Sequence, residues 1–204
     1  MRINNDNPDE QQKRQLRQDL QLLLQQPSDK QLRPCPGCGI DTPNVQADTT
    51  QCSSKCPMAA RQMSSEPVRY PIEPAMVPLV YAFFSSRLMT PCWSCEGHND
   101  AAGQSSKPPG LWFYSHAPFY PRLVAQFVND LKARHRIHYD WSVRLLPFSQ
   151  STYSLTYALE PLDFHPGVTR LTLLQQDMQT IAEHFNSGIT TLAQNYLNQI
   201  GPET

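Results

Sequence analysis

The chain has 204 residues and a net charge of −1, from 17 lysines and arginines against 18 aspartates and glutamates. That balance excludes binding to nucleic acid through overall charge alone, and the longest apolar run, Ala75 to Phe84 with Pro78 inside it, is too short to cross a bilayer. The N-terminal stretch lacks the apolar segment of a secretory signal, so we expect a soluble, cytoplasmic protein without membrane contact.

Residues 1–33 are predicted to form a polar arm with one amphipathic helix. Asn7 can cap this helix and Pro8 suits its first turn. Apolar residues then recur at helical spacing and form a narrow stripe: Leu16, Leu20, Leu23 and Leu24. We expect the stripe to dock on the body of the protein or on a partner, through a joint at Gln26–Asp29.

Residues 34–74 contain few apolar side chains and four of the six cysteines. Hydrophobic burial alone cannot fold this module, so it needs a cross-link such as a metal ion or a disulfide. Cys35 and Cys38 bracket a tight turn, and Cys52 and Cys56 have the i, i+4 spacing of one helical turn. Four thiolates suit tetrahedral zinc. Because the thiols of a cytoplasmic protein stay reduced, and because paired short spacings are typical of metal sites there, zinc is favoured over disulfides or free thiols. The sequence therefore predicts a closed, structural zinc site at these four cysteines.

The same segment carries a family resemblance. The string Cys35-Pro-Gly-Cys38-Gly39, followed by Cys52-Ser-Ser-Lys-Cys56 and Pro-Met-Ala-Ala-Arg61, resembles a treble-clef or zinc-ribbon finger. It is particularly similar to the small bacterial zinc proteins that inhibit DNA gyrase, which have a Cys-Pro-x-Cys-Gly turn and a Cys-Ser-x-x-Cys helix start. The resemblance implies a zinc-bound fold and a protein-binding role. The inhibitory activity is not carried over, because residues 75–204 have no counterpart in those small proteins.

Residues 75–204 have the composition of an ordinary globular domain, and their predicted elements give an α/β (α+β) fold. The predicted elements begin with a helix over 75–89, a loop to about Gly110, a strand over Leu111–Ser115 and a helix over 119–135. A hairpin follows, formed by the alternating runs 141–145 and 153–159. The last element is a C-terminal amphipathic helix from Val168, which is either continuous or broken near 186–188. This order predicts a mixed sheet covered by helices.

A second cysteine group, Cys92-Trp-Ser-Cys95-Glu-Gly-His98, lies in the predicted loop. In one interpretation Cys92, Cys95 and His98 bind a second metal, with His116, Asp100 or water as the fourth ligand. In another, the two cysteines form a redox pair. In the third, the segment is a packing turn or a small-molecule ligand site.

These features leave three functions open. The first is a zinc-binding interaction or regulatory module, with the finger and the N-terminal helix contacting a protein partner. The second is a metal-dependent hydrolase in which His98 helps hold the metal and Glu96 is the general base. The third is contact with nucleic acid through the finger and the basic stretch Lys132–His138, although cations there also suit a helix end. Gly-rich phosphate loops, serine-hydrolase elbows and the His-Glu-x-x-His motif are absent from the sequence.

Overall fold

The computed structural model describes residues 10–25, 32–34, 41–43, 66, 68–69, 71–86, 88–115, 117–147 and 155–200. In chain order its elements are α1 (Glu10–Gln25), β1 (Leu32–Pro34), β2 (Asp41–Pro43), a 3-10 turn (Pro74–Met76), α2 (Val77–Ser85), β3 (Met89–Cys95), β4 (His98–Asn99), β5 (Ser105–Lys107), β6 (Gly110–Ser115), α3 (Phe119–Ala133), β7 (Trp141–Leu145), β8 (Leu155–Pro161) and α4 (Leu171–Ile200). None of these helices is both long and apolar enough to cross a membrane.

The main sheet has four strands in the order β3-β6-β8-β7, and every neighbouring pair is antiparallel. The prediction of helices with a sheet is confirmed, but the prediction of a mixed sheet was wrong. The reason is the place of β8. The connection β6–α3–β7 is a crossover between two strands of the same direction, and β8 pairs between them and opposes both.

One face of the sheet forms the core with the helices. Leu111, Phe113 and Leu159 point to this face and are fully buried. Phe83 of α2 and Phe185 of α4 stack with ring centroids 4.4 Å apart, and Phe113 lies 4.9 Å from Phe83. The apolar run of α2 and the periodic stripe of α4 therefore became core, as hydrophobic burial requires.

The opposite face, here called the outer face, carries alternate residues of the same strands. Its described members include Trp93, Trp112, Tyr114, Arg144, Ala158 and Glu160, and none of them belongs to the main hydrophobic core. Alternation along a strand sends neighbouring side chains to opposite faces. The sheet thus packs its helices on one side and presents aromatic and charged groups on the other.

The N-terminal helix packs on the body of the domain. Leu20 is fully buried and Leu23 nearly so, and both belong to the main core, where α1 lies against α4. The predicted stripe is therefore the packing face of this helix. The leucine at position 22 lies off the stripe and is exposed.

Several boundaries differ from the sequence prediction. The helix predicted over 75–89 ends at Ser85, and the predicted loop to Gly110 contains β3, β4 and β5. Pro91 lies inside β3, which the main sheet tolerates because β3 is an edge strand. The C-terminal helix is continuous through Gly188, where an added Cβ would lie 2.4 Å from the ring of Phe127. That glycine is thus a packing site rather than a break.

Candidate metal site

Two of the predicted ligands meet where β3 ends and β4 begins. The Cys95 sulfur lies 3.4 Å from Nε2 of His98, and the two residues are joined by a turn at Glu96 and Gly97. Cys95 is 3% exposed, whereas the side chain of His98 is 47% exposed. The pair therefore has one buried donor and one donor at the surface.

A third donor comes from a residue that the sequence analysis did not single out. Glu73 precedes the 3-10 turn that leads into α2, and its Oε1 lies 3.1 Å from Nε2 of His98. The ligand atoms of Glu73, Cys95 and His98 all lie within 4.8 Å of one another. Among the described residues they form the one group of this kind.

Backbone groups hold the Glu73 carboxylate in place. The Glu96 amide donates to its Oε2 at 2.6 Å, and the Ala75 amide donates to Oε2 of Glu96 at 3.0 Å. Gln175 of α4 donates to the Glu96 carbonyl at 3.2 Å. The two glutamates therefore brace each other's segments, which leaves Oε1 of Glu73 directed at His98.

The spacing of the three donors suits zinc. Bond lengths of about 2.3 Å to sulfur and about 2.0 Å to nitrogen or oxygen give tetrahedral edges of about 3.5 Å from sulfur to nitrogen and about 3.3 Å from nitrogen to oxygen. The distances here are 3.4 Å for Cys95 to His98 and 3.1 Å for His98 to Glu73. These two edges lie within a few tenths of an ångström of the zinc values, and the third, between Cys95 and Glu73, is at most 4.8 Å.

The same distances argue against a cysteine–histidine–acid catalytic triad. In a triad one ring nitrogen of the histidine faces the nucleophile and the other faces the acid. Here Nε2 of His98 faces both the sulfur of Cys95 and the carboxylate of Glu73. Three donor atoms that converge on one point are typical of a metal site instead.

The remaining predicted ligands lie elsewhere or outside the described residues. Cys92 is exposed on β3 and shares a hydrogen bond with Tyr114, so it is not part of the group. The carboxylate of Asp100 accepts the amides of Ala102 and Gln104 at 2.9 and 2.8 Å, which closes its own turn. His116 lies outside the described residues.

The strand also separates the two cysteines of the redox interpretation. Cys92 and Cys95 are three residues apart on β3. At about 3.3 Å per residue their Cα atoms are about 10 Å apart, beyond the roughly 7 Å that a disulfide can bridge. Both are free thiols in the structure.

The predicted finger ligands Cys35, Cys38, Cys52 and Cys56 lie outside the described residues. Next to them, β1 and β2 pair antiparallel, with Pro34 opposite Asp41. The chain between these two residues contains the first cysteine pair. The four-cysteine site therefore stays a prediction.

The basic stretch Lys132–His138 is held to the domain. The Lys132 ammonium donates to the His138 carbonyl at 2.7 Å and lies 3.6 Å from Asp140. His138 itself lies 2.7 Å from the buried carboxylate of Asp177. These bonds engage the two ends of the stretch, as the helix-end interpretation expects, while Arg134, His135 and Arg136 are exposed.

Gly97→Ala should damage the turn of this site. Gly97 has φ of +80°, and an added Cβ would lie 2.5 Å from Leu171 Cδ1 and 2.9 Å from the Pro109 nitrogen. We expect the free energy of unfolding to fall by about 2–5 kcal/mol, from the left-handed backbone and the overlap together. Urea unfolding measures it.

Gly103→Ala is the matched control, since Gly103 has φ of +78° and nothing within 4 Å of an added Cβ. That variant should lose only about 1–2 kcal/mol, the cost of the backbone conformation. Equal losses at the two positions would show that Leu171 and Pro109 do not confine the turn.

Cys92 should react slowly with alkylating reagents although it is exposed. Neighbouring protein atoms still cover part of the residue, and this desolvation raises the pKa of its thiol; the hydrogen bond with Tyr114, which lowers the pKa, does not cancel the effect. A raised pKa leaves less of the reactive thiolate at pH 8 than a free cysteine has. The rate of iodoacetamide labelling at Cys92, followed from pH 7 to 10 by mass spectrometry, should therefore rise at a higher pH than the rate for glutathione. Coincident profiles would contradict this.

A scan against protein-family models, a search of the curated proteins and a search of the solved structures each gave no match to this chain. What can be inferred about function therefore depends on the residues and their geometry.

Proposed function

We propose that this protein is a zinc-binding interaction module with two metal sites. One is the four-cysteine finger at Cys35, Cys38, Cys52 and Cys56. The other is formed by Glu73, Cys95 and His98, and joins the end of the cysteine-rich module to the α/β domain. The observation that carries the proposal is the convergence of three different donor atoms within 4.8 Å.

The donor set favours zinc over other common ions. Magnesium and calcium prefer sites made only of oxygen, and copper(I) prefers sulfur ligands. Zinc accepts all three donor types present here, the thiolate, the imidazole and the carboxylate. A cytoplasmic location, which keeps Cys95 reduced, is part of the proposal.

The second site would fix the finger relative to the domain. Glu73 lies at the start of the segment that enters α2, whereas Cys95 and His98 belong to the strands of the sheet. A metal bound by all three ties these parts together. The partner contact is then assigned to the finger and to the polar side of α1, where Leu22 is exposed, because the apolar stripe of α1 is packed against α4.

Zinc counting on the purified full chain tests the proposal. We expect two zinc ions per chain in the wild type and one in Cys95→Ser or His98→Ala. Cys92→Ser is the matched control, since Cys92 is on the same strand and outside the donor group; it should keep two. A wild type with a single zinc that survives both ligand substitutions would overturn the second site.

The open side of the site favours a second candidate, a metal-dependent hydrolase. Three protein ligands leave one coordination position for water, and the side chains of His98 and Glu73 are 47% and 32% exposed. Glu96, the general base of this hypothesis, has one carboxylate oxygen engaged by the Ala75 amide. The other oxygen can still accept a proton, so the two candidates must be separated by a measurement of activity.

Hydrolysis of p-nitrophenyl acetate separates the two candidates. For the binding module we expect zinc-loaded and zinc-free protein to give the same background rate. A zinc-dependent rate that falls at least tenfold in Glu96→Gln, with the zinc count unchanged, would favour the enzyme instead.

A further inference from the structure

An aromatic pair lies on the outer face, on the same strand as Cys95 of the donor group. Trp93 and Cys95 are two residues apart on β3, where Trp93 opposes Trp112 and Cys95 opposes Gly110. Residues two apart on a strand point to the same face. At about 3.3 Å per residue, the indole and the sulfur leave the backbone about 7 Å apart.

The aromatic pair is held in a fixed arrangement. The rings of Trp93 and Trp112 are 4.7 Å apart, and Nε1 of Trp112 donates to Glu160 at 3.1 Å. Arg144 donates to the other oxygen of Glu160 through Nε at 3.0 Å. Trp93 is 37% exposed. The Trp112 ring is thus anchored by Glu160, while the Trp93 ring presents apolar surface to solvent.

A cation connects this surface with the metal site. Lys107 of β5 is the strand partner of His98. Its ammonium lies 5.2 Å from the centre of the Trp93 ring. Lys107 thus starts from the backbone opposite a metal ligand and carries its ammonium to the aromatic surface, where it can pair with an anion.

We propose that the outer face binds a planar aromatic acid: its ring packs on Trp93, and its anionic oxygen takes the open position on the metal held by Glu73, Cys95 and His98. When the acid binds, the Lys107 ammonium leaves the Trp93 ring and pairs with the acid's negative charge. This inference rests on the proposed function, since the anionic oxygen needs the metal.

Charge supports an anionic ligand. A thiolate from Cys95 and a carboxylate from Glu73 together balance the two positive charges of zinc. Two single charges then remain: the Glu96 carboxylate is engaged by the Ala75 amide, whereas the Lys107 ammonium lies over the Trp93 ring, where it can pair with an anion. A flat ring is favoured over an aliphatic one because aromatic faces stack on an indole.

Calorimetric titration of the zinc-loaded full chain tests the inference. The probes are 2-naphthoate and 2-naphthyl phosphate, which distinguish a carboxylate from a phosphate ligand. The controls are naphthalene-2-carboxamide, which lacks the charge, and cyclohexanecarboxylate, which lacks the aromatic ring. We expect at least one of the aromatic acids to bind at least tenfold more tightly than both controls.

Substitutions on the outer face test whether the aromatic acid binds there. Trp93→Leu and Lys107→Gln should each weaken the aromatic acid at least fivefold, whereas Leu162→Ala, another exposed apolar position, should not change the affinity. Affinity that is unchanged in Trp93→Leu, or in zinc-free protein, would overturn the inference.

Loading the protein with cobalt distinguishes a failure of the ligand inference from a failure of the metal site. If the absorption spectrum shows cobalt at the site, with a band that disappears in Cys95→Ser, and neither aromatic acid binds, the ligand inference fails and the metal site stands. If cobalt gives no band that depends on Cys95, both fail.

Discussion

Asp177→Ala is expected to lower the free energy of unfolding by about 3–5 kcal/mol. Asp177 is fully buried in α4, and its Oδ1 accepts the amide and Nδ1 of His138 at 2.8 and 2.7 Å. Its Oδ2 accepts the amide of Tyr139 at 2.9 Å and the indole of Trp141 at 3.3 Å. The substitution leaves all four donors without this acceptor. Urea unfolding followed by tryptophan fluorescence measures the loss.

Two further variants control this experiment. Glu183→Ala removes an exposed carboxylate from the same helix and should change stability by less than about 0.5 kcal/mol. Asp177→Asn keeps one acceptor oxygen and should fall between the other two variants. A loss below about 1 kcal/mol in Asp177→Ala would mean that the carboxylate does not hold the turn from α3 to β7 against α4.

Zinc is expected to stabilise the α/β domain through the Glu73–Cys95–His98 site. At free zinc about 1,000 times the dissociation constant, the apparent free energy of unfolding should rise by about 4 kcal/mol, because the ion binds only the folded arrangement. The buried indole of Trp141 lies in the domain core and contributes to the fluorescence that follows unfolding.

Zinc bound at the predicted finger could also stabilise the protein, so the contributions of the two sites must be distinguished. Cys38→Ser disrupts the predicted four-cysteine site and should leave the zinc-dependent increment in place, whereas Cys95→Ser should abolish it. The reverse result, with the increment lost in Cys38→Ser and kept in Cys95→Ser, would assign the stabilisation to the finger.

The elements that could be predicted from the sequence are those with a clear hydrophobic period. The helix from Phe119 and the hairpin of β7 and β8 follow directly from their patterns. Strand β3 could not be predicted in this way. Pro91 and the polar residues Thr90 and Ser94 hide its alternation, and only pairing with β6 makes it a strand.

Two of the three residues of the candidate site could be singled out from the sequence. Cys95 and His98 have a short spacing that favours convergence, and the structure brings them together. Glu73 is far from them in sequence and belongs to no motif, so only the tertiary fold could reveal it. Asp177 did leave a signal. It is a charged residue on the core-facing stripe of α4, between Leu174 and Met178, where burial requires compensating hydrogen bonds.

The most direct test of the central claim is anomalous diffraction from crystals of the zinc-loaded full chain, with data collected on both sides of the zinc absorption edge. We expect an anomalous peak about 2.0–2.3 Å from Oε1 of Glu73, the sulfur of Cys95 and Nε2 of His98. A fully loaded crystal with no peak between these three atoms would contradict the claim.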